Sequence, residues 1–404
     1  MRNSIVLLLW LTAWSSIGQN KILFDASKAQ AAGNADWVID ADLHNIFFSS
    51  GPAIPNTGGT ESNAQRFPTP AQNTVTTSTP EDYWQGGISY WALDCVKKGY
   101  TVESLPYNGQ ITYGNAANAQ DLSNYKAFIV DEPNILFTAA QKTAIINYVA
   151  NGGGLFMIAD HDISDRNNDG EDSPFIWNDL MTTNTVQVNP FGISFDAADF
   201  TQTSTNVLNS ATDPILHGTA GNVTRVYWSG GTSMTLNTSQ NPAVKGVVFK
   251  TGSSTLGTTN VLCAYTTYGQ GKVAAIGDSS IADDGTGDTL DTLYDGYIAD
   301  ASGNHQRLLM NITNWLMAPN MSTDPFEAQN AFSLLPNPAT DLLTVYTDQT
   351  TISVNELLVF DLSGRLVGES KTNTMQVTNL AKGTYLLQII DKEGKIYPKK
   401  FLKN

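Results

Sequence analysis

The sequence predicts a doubly wound α/β domain with a mostly parallel sheet and insertions, followed by a small C-terminal β-sandwich. The apolar stretch Leu155–Ala159 contains no polar residue, as is typical of a strand covered on both faces of a parallel sheet. Helical patterns separate such strands, and this strand–helix–strand rhythm favours right-handed crossovers. After Ala331 the pattern changes to alternating strands broken by Gly and Pro turns, which is typical of a sandwich.

The elements of the first half begin with two strands and a helix between them. Lys21–Phe24 is a first strand and Val102–Leu105 is a second. Between them, Thr79 as N-cap, Pro80 at the first helical position and acids in the first turn predict the start of a helix. Gly99 follows the last apolar position of this helix and is expected to end it.

The pattern continues with a third strand and further helices. Ala127–Val130 is the third strand, and Thr138 followed by Gln141 has the spacing of a capping box that opens the next helix. The strand Leu155–Ala159 comes after this helix. The remaining predicted elements are an insertion, two strands joined by a tight turn and a closing amphipathic helix: Ser173–Ala220, Val261–Tyr265, Lys272–Ile276 and His305–Met317.

The N-terminal segment predicts export. Residues 1–19 contain Arg2, an apolar run and small residues before Gln19, the pattern of a Sec signal peptide. The run is too short to span a bilayer, and no later segment is long enough, so we expect no membrane span. Export permits a disulfide between Cys95 and Cys263, but each lies in an apolar pattern and two buried thiols are an equal alternative.

The charge is unevenly distributed along the chain. The net charge is −16, and residues 331–404 contain 8 Lys/Arg and 7 Asp/Glu. This leaves 14 basic and 31 acidic residues before them, a balance of −17. Such a surface repels phosphate backbones, so no nucleic-acid partner is expected. The acidity suits cation binding, although it can also serve solubility alone.

Acidic residues directly follow four predicted strands. Because ligands bind at the carboxyl ends of strands in open α/β sheets, we expect these residues to meet in a functional cleft. The alternative is that they cap the helices that follow. The candidate catalytic residues are Asp131, Glu132, Asp160, His161, Asp162 and Asp278. The candidate substrate-binding residues are Asp25, Ser27, Trp177 and Ser279.

A candidate calcium-binding loop follows the strand Leu155–Ala159. Residues 165–170 match the first half of a calcium-binding loop, but position twelve is Ile176 and not a bidentate Glu, so an EF-hand is excluded. A solvated turn rich in Asp and Asn is an equal alternative. The candidate Ca²⁺ ligands are Asp165, Asn167, Asp169 and Asp172. No organic cofactor is predicted.

The C-terminal segment carries specific motifs. It has PNP near its start, DLSGR at Asp361–Arg365, AKGTY at Ala381–Tyr385 and a basic KKFLKN end. In these motifs residues 331–404 resemble the C-terminal sorting domain of type IX secretion substrates. The resemblance implies a partner, the type IX secretion machinery, and a secreted or cell-surface localisation. It implies nothing about catalysis.

The preceding domain, residues 20–318, resembles a class I glutamine-amidotransferase-like α/β domain of the non-amidotransferase kind, with a flavodoxin-like fold. The resemblance rests on AFIVDEPN, YVANGGGLFMIAD, YGQGKVAAIGDSS and the NWL of the last helix. Glutaminase chemistry would need a Cys after the strand that ends at Ala159, and Asp160 and His161 stand there. That activity is therefore excluded. Residues 319–330 are predicted to be a linker.

Three functions remain open from the sequence. The favoured one is a secreted hydrolase of a polysaccharide or other extracellular substrate, with one carboxyl as general acid and another as base or nucleophile. The second is a metal-dependent ester or phosphoester hydrolase in which His161 and the acids hold a cation. The third is a non-catalytic, calcium-braced binding module. Metal chelation should leave the polysaccharide hydrolase active and should abolish turnover by the metal-dependent hydrolase. The binding module should show no turnover with or without chelation.

Overall fold

The computed structural model describes residues 20–32, 35–40, 46–47, 54–55, 72–287, 294–301, 303–318, 332–347, 353–361, 366–392 and 396–404. The predicted signal peptide and linker lie outside these residues. The chain divides into two compact units, residues 1–320 and 321–404, which are described separately.

The first unit contains a mixed sheet. Its described strands longer than two residues are β1 (Lys21–Asp25), β2 (Thr101–Leu105), β3 (Ala127–Asp131), β4 (Gly154–Ile158), β5 (Ile193–Phe195), β6 (Phe200–Ser204), β7 (Val226–Gly231), β8 (Met234–Leu236), β9 (Lys245–Phe249), β10 (Val261–Tyr268) and β11 (Gly271–Ile276). Five of them run parallel in the order β2-β1-β3-β4-β11. This arrangement confirms an α/β domain and gathers the carboxyl ends of five strands at one edge.

The other half of the sheet is antiparallel. β10 and β11 form an antiparallel hairpin. β9 and β8 both pair with β10, and β5 pairs with β8. β6 and β7 form a separate antiparallel pair. The sheet is therefore less parallel than the prediction, because the segment after Ser173 supplies hairpins as well as a helix.

Helices cover both faces of the sheet. They are α1 (Ser89–Lys97), α2 (Ala139–Ala150), α3 (Ser173–Thr183) and α4 (His305–Met317). One buried cluster contains side chains of α1 and α4, and a second contains those of α2 and α3. In the first, the ring of Trp91 lies edge-on to Phe24 at 5.3 Å and to Phe156 at 5.7 Å between centroids. Such contacts add to the burial of apolar surface that drives folding.

The first helix begins later than predicted. The α-helix begins at Ser89, and Glu81–Tyr83 is a separate 3₁₀ turn. Gly86 interrupts the helical path with a φ of +129°. At Gly87 a Cβ atom would lie 2.5 Å from the carbonyl oxygen of Asp36, so the backbone must pass close to another segment there. This tertiary contact overrides the local start signal.

The capping box predicted for α2 is confirmed. The hydroxyl of Thr138 accepts the backbone N–H of Gln141 at 3.3 Å, and the Gln141 side chain accepts that of Thr138 at 2.9 Å. Cys95 and Cys263 are both free and buried in the cluster of α1 and α4. Among the described residues, no helix is long and apolar enough to cross a membrane.

The second unit consists of antiparallel sheets. Its strands are β12 (Ser333–Leu335), β13 (Leu342–Tyr346), β14 (Val354–Phe360), β15 (Leu366–Ser370), β16 (Thr374–Gln376), β17 (Gly383–Asp391) and β18 (Ile396–Lys403). They form sheets of order β12-β13-β16 and β15-β14-β17-β18. One buried cluster includes Leu343 of the first sheet and Leu357 and Leu387 of the second, so the two sheets share a core, as a sandwich requires.

Candidate functional site

The carboxyl ends of β1, β3, β4 and β11 bring acidic side chains to one edge of the sheet. These four strands are neighbours, and each is followed or ended by an acid. The residues are Asp25, Asp131, Glu132, Asp160 and Asp278, and each is at most 3% exposed. Burial of so many carboxyl groups costs free energy unless each is protonated, paired with a charge or hydrogen-bonded. The partners of each carboxyl therefore show how it is stabilised at this edge.

Glu132 lies at the centre of this edge. Its backbone has a φ of +42°, a conformation that non-glycine residues rarely adopt, and its N–H donates to the carbonyl of Ile158 at 3.1 Å. Oε1 accepts from Arg166 Nε at 2.9 Å, and Oε2 accepts from Ser279 Oγ at 2.6 Å and Trp37 Nε1 at 3.1 Å. Glu132 is therefore held by three side chains and oriented by its backbone.

Arg166 joins Glu132 to the neighbouring strand end. Its Nη2 donates to Asp160 Oδ2 at 2.7 Å, and its backbone N–H donates to Asn134 Oδ1 at 3.2 Å. One guanidinium thus bridges two buried carboxyls, a use of its planar fork that Lys could not reproduce. Arg166 was not among the site residues predicted from the sequence. The available signal was that it is the one Lys or Arg among the six acids of residues 160–172.

Asp160 and His161 follow β4. The Asp160 N–H donates to Ser173 Oγ and the His161 N–H donates to Asp160 Oδ1, both at 2.8 Å. His161 Nδ1 lies 2.7 Å from the carbonyl oxygen of Asp162. Because a carbonyl can only accept, Nδ1 carries a hydrogen, which leaves Nε2 as the ring nitrogen that can face a substrate. His161 and Asp162 are partly exposed, so this ring can reach solvent or substrate.

Asp278 and Asp131 are held very differently. Asp278 Oδ2 accepts the N–H of Ser229 at 2.6 Å, and Oδ1 accepts the N–H and hydroxyl of Ser280 at 3.0 and 2.5 Å. Both carboxyl oxygens of Asp131 are buried without a hydrogen-bond partner in the described part of the chain. Burial, and then the nearby Glu132, raise the pKa of Asp131 well above its usual range.

Three carboxyls of the site have a pKa near neutrality. Burial, with the nearby Asp160, raises the pKa of Glu132 to about 8. Burial also raises the pKa of Asp160 and Asp278 to about 7, and the charge of Asp278 adds to the shift of Asp160. Arg166 opposes these shifts by stabilising the charged forms of Glu132 and Asp160. Groups this close titrate as a set, and a carboxyl near pKa 7 is suited to proton transfer.

These shifts predict a pH-dependent stability. The pKa values of these carboxyls in the folded state lie above the unfolded value of about 4, so the folded state holds their protons more tightly. The stability that these protonated groups contribute is complete below about pH 4 and is lost as pH rises to about 8. We expect the urea midpoint to fall between pH 5 and pH 8. Asp160→Asn should reduce this slope and Asp121→Asn should not, because hydrogen bonds outweigh burial and lower the pKa of Asp121. A midpoint that stays level or rises contradicts the prediction.

The predicted substrate-binding residues lie in two different environments. Asp25 Oδ1 accepts the N–H and hydroxyl of Ser27 at 2.9 and 2.6 Å, and Oδ2 accepts from Gln30 at 2.7 Å. These bonds close the turn after β1. Ser279 is fully buried and donates to Glu132, so it positions that carboxyl. Substrate contact by Asp25 and Ser27 stays a prediction.

The structure corrects the role expected of Trp177. This residue of α3 is fully buried, and its indole N–H donates to the carbonyl of Ile158 at 2.9 Å. Its ring packs against Phe137 with 5.4 Å between centroids. The side chain therefore has no exposed face on which a sugar could stack, because helix α3 turns its apolar side towards the sheet.

The predicted calcium loop is closed by its own hydrogen bonds. Asp165 accepts the backbone N–H groups of Asp169 at 3.1 Å and Gly170 at 2.8 Å, and Asn167 donates to Asp169 at 2.8 Å. Asp172 caps helix α3. Within the described ranges, no group of three or more His, Cys, Asp or Glu side chains is arranged to hold a metal ion. Calcium in this loop stays a prediction, and no chemistry below depends on it.

Comparison with known proteins identifies the second unit. Residues 333–404 match the family described as the secretion system C-terminal sorting domain. This match confirms the sorting domain predicted from the sequence. It implies an interaction with the type IX secretion machinery and export to the cell surface or beyond. The chain thus carries a secretion sorting domain in its second unit, and its first unit carries the site described above.

The chain is similar to several solved structures, and no curated protein matches it. The N-terminal domain of mmIFT52 is 15% identical over 74% of this chain and 99% of its own, with a TM-score of 0.41. A ThuA-like protein from Parabacteroides merdae is 12% identical over 57% of this chain and 84% of its own, with a TM-score of 0.33. A β-galactosidase from Bacillus circulans is 13% identical over 68% of this chain and 34% of its own, with a TM-score of 0.28. These likenesses carry no argument about activity.

Proposed function

We propose that the first unit is a secreted hydrolase that acts on an extracellular polysaccharide. Its active site lies at the strand ends of a flavodoxin-like, amidotransferase-like sheet. The observation that carries the proposal is the pair of carboxyls bridged by Arg166, Glu132 and Asp160, next to the partly exposed His161. This set combines a proton donor, a proton acceptor and a fixed positive charge at an edge where ligands bind in α/β sheets.

In this proposal the residues have different roles. Glu132 already accepts three hydrogen bonds and is fully buried, so it positions Arg166 and does not attack a substrate. Asp160 is 3% exposed and accepts from only one described side chain, Arg166, so it is the carboxyl left for proton transfer. With a pKa of about 7, it gives its proton to the departing glycosidic oxygen. His161 Nε2 takes a proton from the water that attacks the anomeric carbon. Arg166 then stabilises the carboxylate left on Asp160, and the proton on His161 returns to Asp160 through solvent.

A second candidate is a non-catalytic carbohydrate-binding module at the cell surface. The observation that favours it is the deep burial of the acids, each at most 3% exposed, which a purely structural network would also show. A metal-dependent hydrolase has less support, because the described residues contain no arranged metal-binding group. Calcium, if bound by residues 165–172, would brace the loop in either case.

Product release separates the candidates. The purified secreted protein is incubated with neutral and acidic polysaccharides, with and without EDTA, and new reducing ends are counted beside Asp160→Asn and His161→Gln. The hydrolase releases ends that both variants lose and that survive EDTA. Binding to a polysaccharide gel without release of ends would support the binding module. Neither release nor binding, with the protein folded, would overturn both candidates.

A further inference from the structure

Two large apolar side chains are exposed beside the candidate site. Ile163 is 79% exposed and Phe175 is 49% exposed. One carboxylate anchors both, because Asp172 Oδ2 accepts the N–H of Ile163 at 2.7 Å and Oδ1 accepts that of Phe175 at 2.9 Å. Ile163 lies two residues after His161 and three before Arg166. Ile163 therefore lies in the same loop as His161 and Arg166. Phe175 lies in the first turn of helix α3, two residues after Ser173, whose Oγ accepts the N–H of Asp160.

The backbone of Ile163 is strained for its residue type. Its φ is +62°, and a β-branched residue is a genuine outlier in this left-handed region, which favours Gly or Asn. The side chain is also exposed and recovers little of this cost by burial. Folding alone would be better served by Gly at this position. Strained residues of this kind cluster at sites that contact ligands.

We propose that Ile163 and Phe175 form an apolar subsite for the C–H face of a sugar ring, next to the polar groups of His161 and Arg166. This inference rests on the proposed function and adds its substrate class. A hexopyranose with equatorial hydroxyls directs C–H bonds above and below its ring, which suits an aliphatic and an aromatic side chain, while its hydroxyls meet polar groups. The balance of −17 before residue 331 repels uronic acids, so the substrate class is a neutral polysaccharide such as a β-linked glucan.

The test compares binding with stability in the full secreted protein. Binding of a soluble β-glucan and of a polyuronate is measured by affinity electrophoresis, and Tm by thermal unfolding. We expect Ile163→Gly and Phe175→Ala each to weaken glucan binding about fivefold or more, from the loss of apolar contact. Phe175→Tyr should retain binding, because the ring remains. Ile163→Gly should leave Tm unchanged or higher, because glycine relieves the strain at φ +62°.

A matched control is Val188→Ala. Val188 is 58% exposed in the segment between α3 and β5, where the neighbouring Gln187 accepts from Tyr268 at the opposite end of the sheet. This variant should bind glucan as the wild type does. Unchanged binding by Ile163→Gly and Phe175→Ala would overturn the subsite, and so would a lower Tm for Ile163→Gly. Cleavage of polyuronates alone would overturn the subsite and leave the hydrolase standing, whereas no binding and no cleavage of any polysaccharide would overturn both.

Discussion

Replacing Arg166 with Met is expected to lower the free energy of unfolding by about 3 kcal/mol at pH 8, because removing one partner of a buried ion pair leaves uncompensated charge. The guanidinium bridges Glu132 and Asp160 at 2.9 and 2.7 Å, and both acids are almost fully buried. Glu132 would keep its bonds to Ser279 and Trp37, so the sheet edge should still form.

The loss should be smaller at pH 5. Arg166 lowers the pKa of Glu132 and Asp160, so its removal raises both values further. A carboxyl with a raised folded pKa loses stability as pH rises, and both groups are already protonated in the folded variant at pH 5. Urea unfolding at the two pH values measures the difference.

Two further variants serve as controls for Arg166→Met. Arg166→Lys keeps the charge but cannot reach both carboxyls with one fork, so an intermediate loss is expected. Lys245→Met breaks the pair with buried Asp213 at 2.9 Å, in which the Lys245 side chain is 44% exposed. It should cost less, because Asp213 keeps the hydrogen bonds that it accepts from Ile215, Leu216 and Tyr265. An equal loss for Arg166→Met at pH 5 and pH 8 would mean that only packing was removed, and would contradict the electrostatic role.

Replacing Asp160 with Asn should reduce turnover by on the order of a hundredfold or more, because a general acid is lost. The amide oxygen can still accept the N–H of His161, but the amide nitrogen cannot accept from Arg166 Nη2. Urea unfolding therefore accompanies the assay and checks that the variant is folded. In the wild type, activity should decline as pH rises above about 7, when the carboxyl loses its proton. The variant should lack this decline. If Asp160 were merely structural, its replacement would not change the pH profile of the remaining activity.

The control for this variant is Asp121→Asn. Asp121 is also buried, but it accepts hydrogen bonds within the loop before β3, at the other end of the strands. Asp121→Asn should leave turnover unchanged. The catalytic assignment would be abandoned if Asp160→Asn and Asp278→Asn, both still folded, kept activity within about twofold of the wild type.

The burial of strands could be predicted well from local patterns. Ala127–Val130 and Leu155–Ala159 are apolar throughout, and an apolar strand has few alternatives to the interior of a sheet. Once the strands are placed, Asp131, Glu132, Asp160 and Asp278 must reach the same edge. Local reasoning failed at Ser89, where close packing at Gly87 delays the helix, because such contacts come from segments far apart in the chain.

The roles within the site were less predictable. Trp177 was expected at the substrate and lies in the core, because the direction of a helix face depends on what the helix packs against. Arg166 and Trp37 were missed, since nothing in their local sequence shows that they meet Glu132. The strain at Ile163 was likewise invisible, because φ is set by the path of the loop.

The sequence by itself determined the α/β class of the first unit, the sorting domain of the second and the acidic edge of the sheet. These properties follow from hydrophobic periodicity, turn residues and motifs, which act over short stretches of chain. Only the tertiary structure decided which acids are paired, which are neutral and which side chains face solvent. Burial and hydrogen bonding between distant segments control the pKa of a carboxyl, and they exist only after the chain has folded.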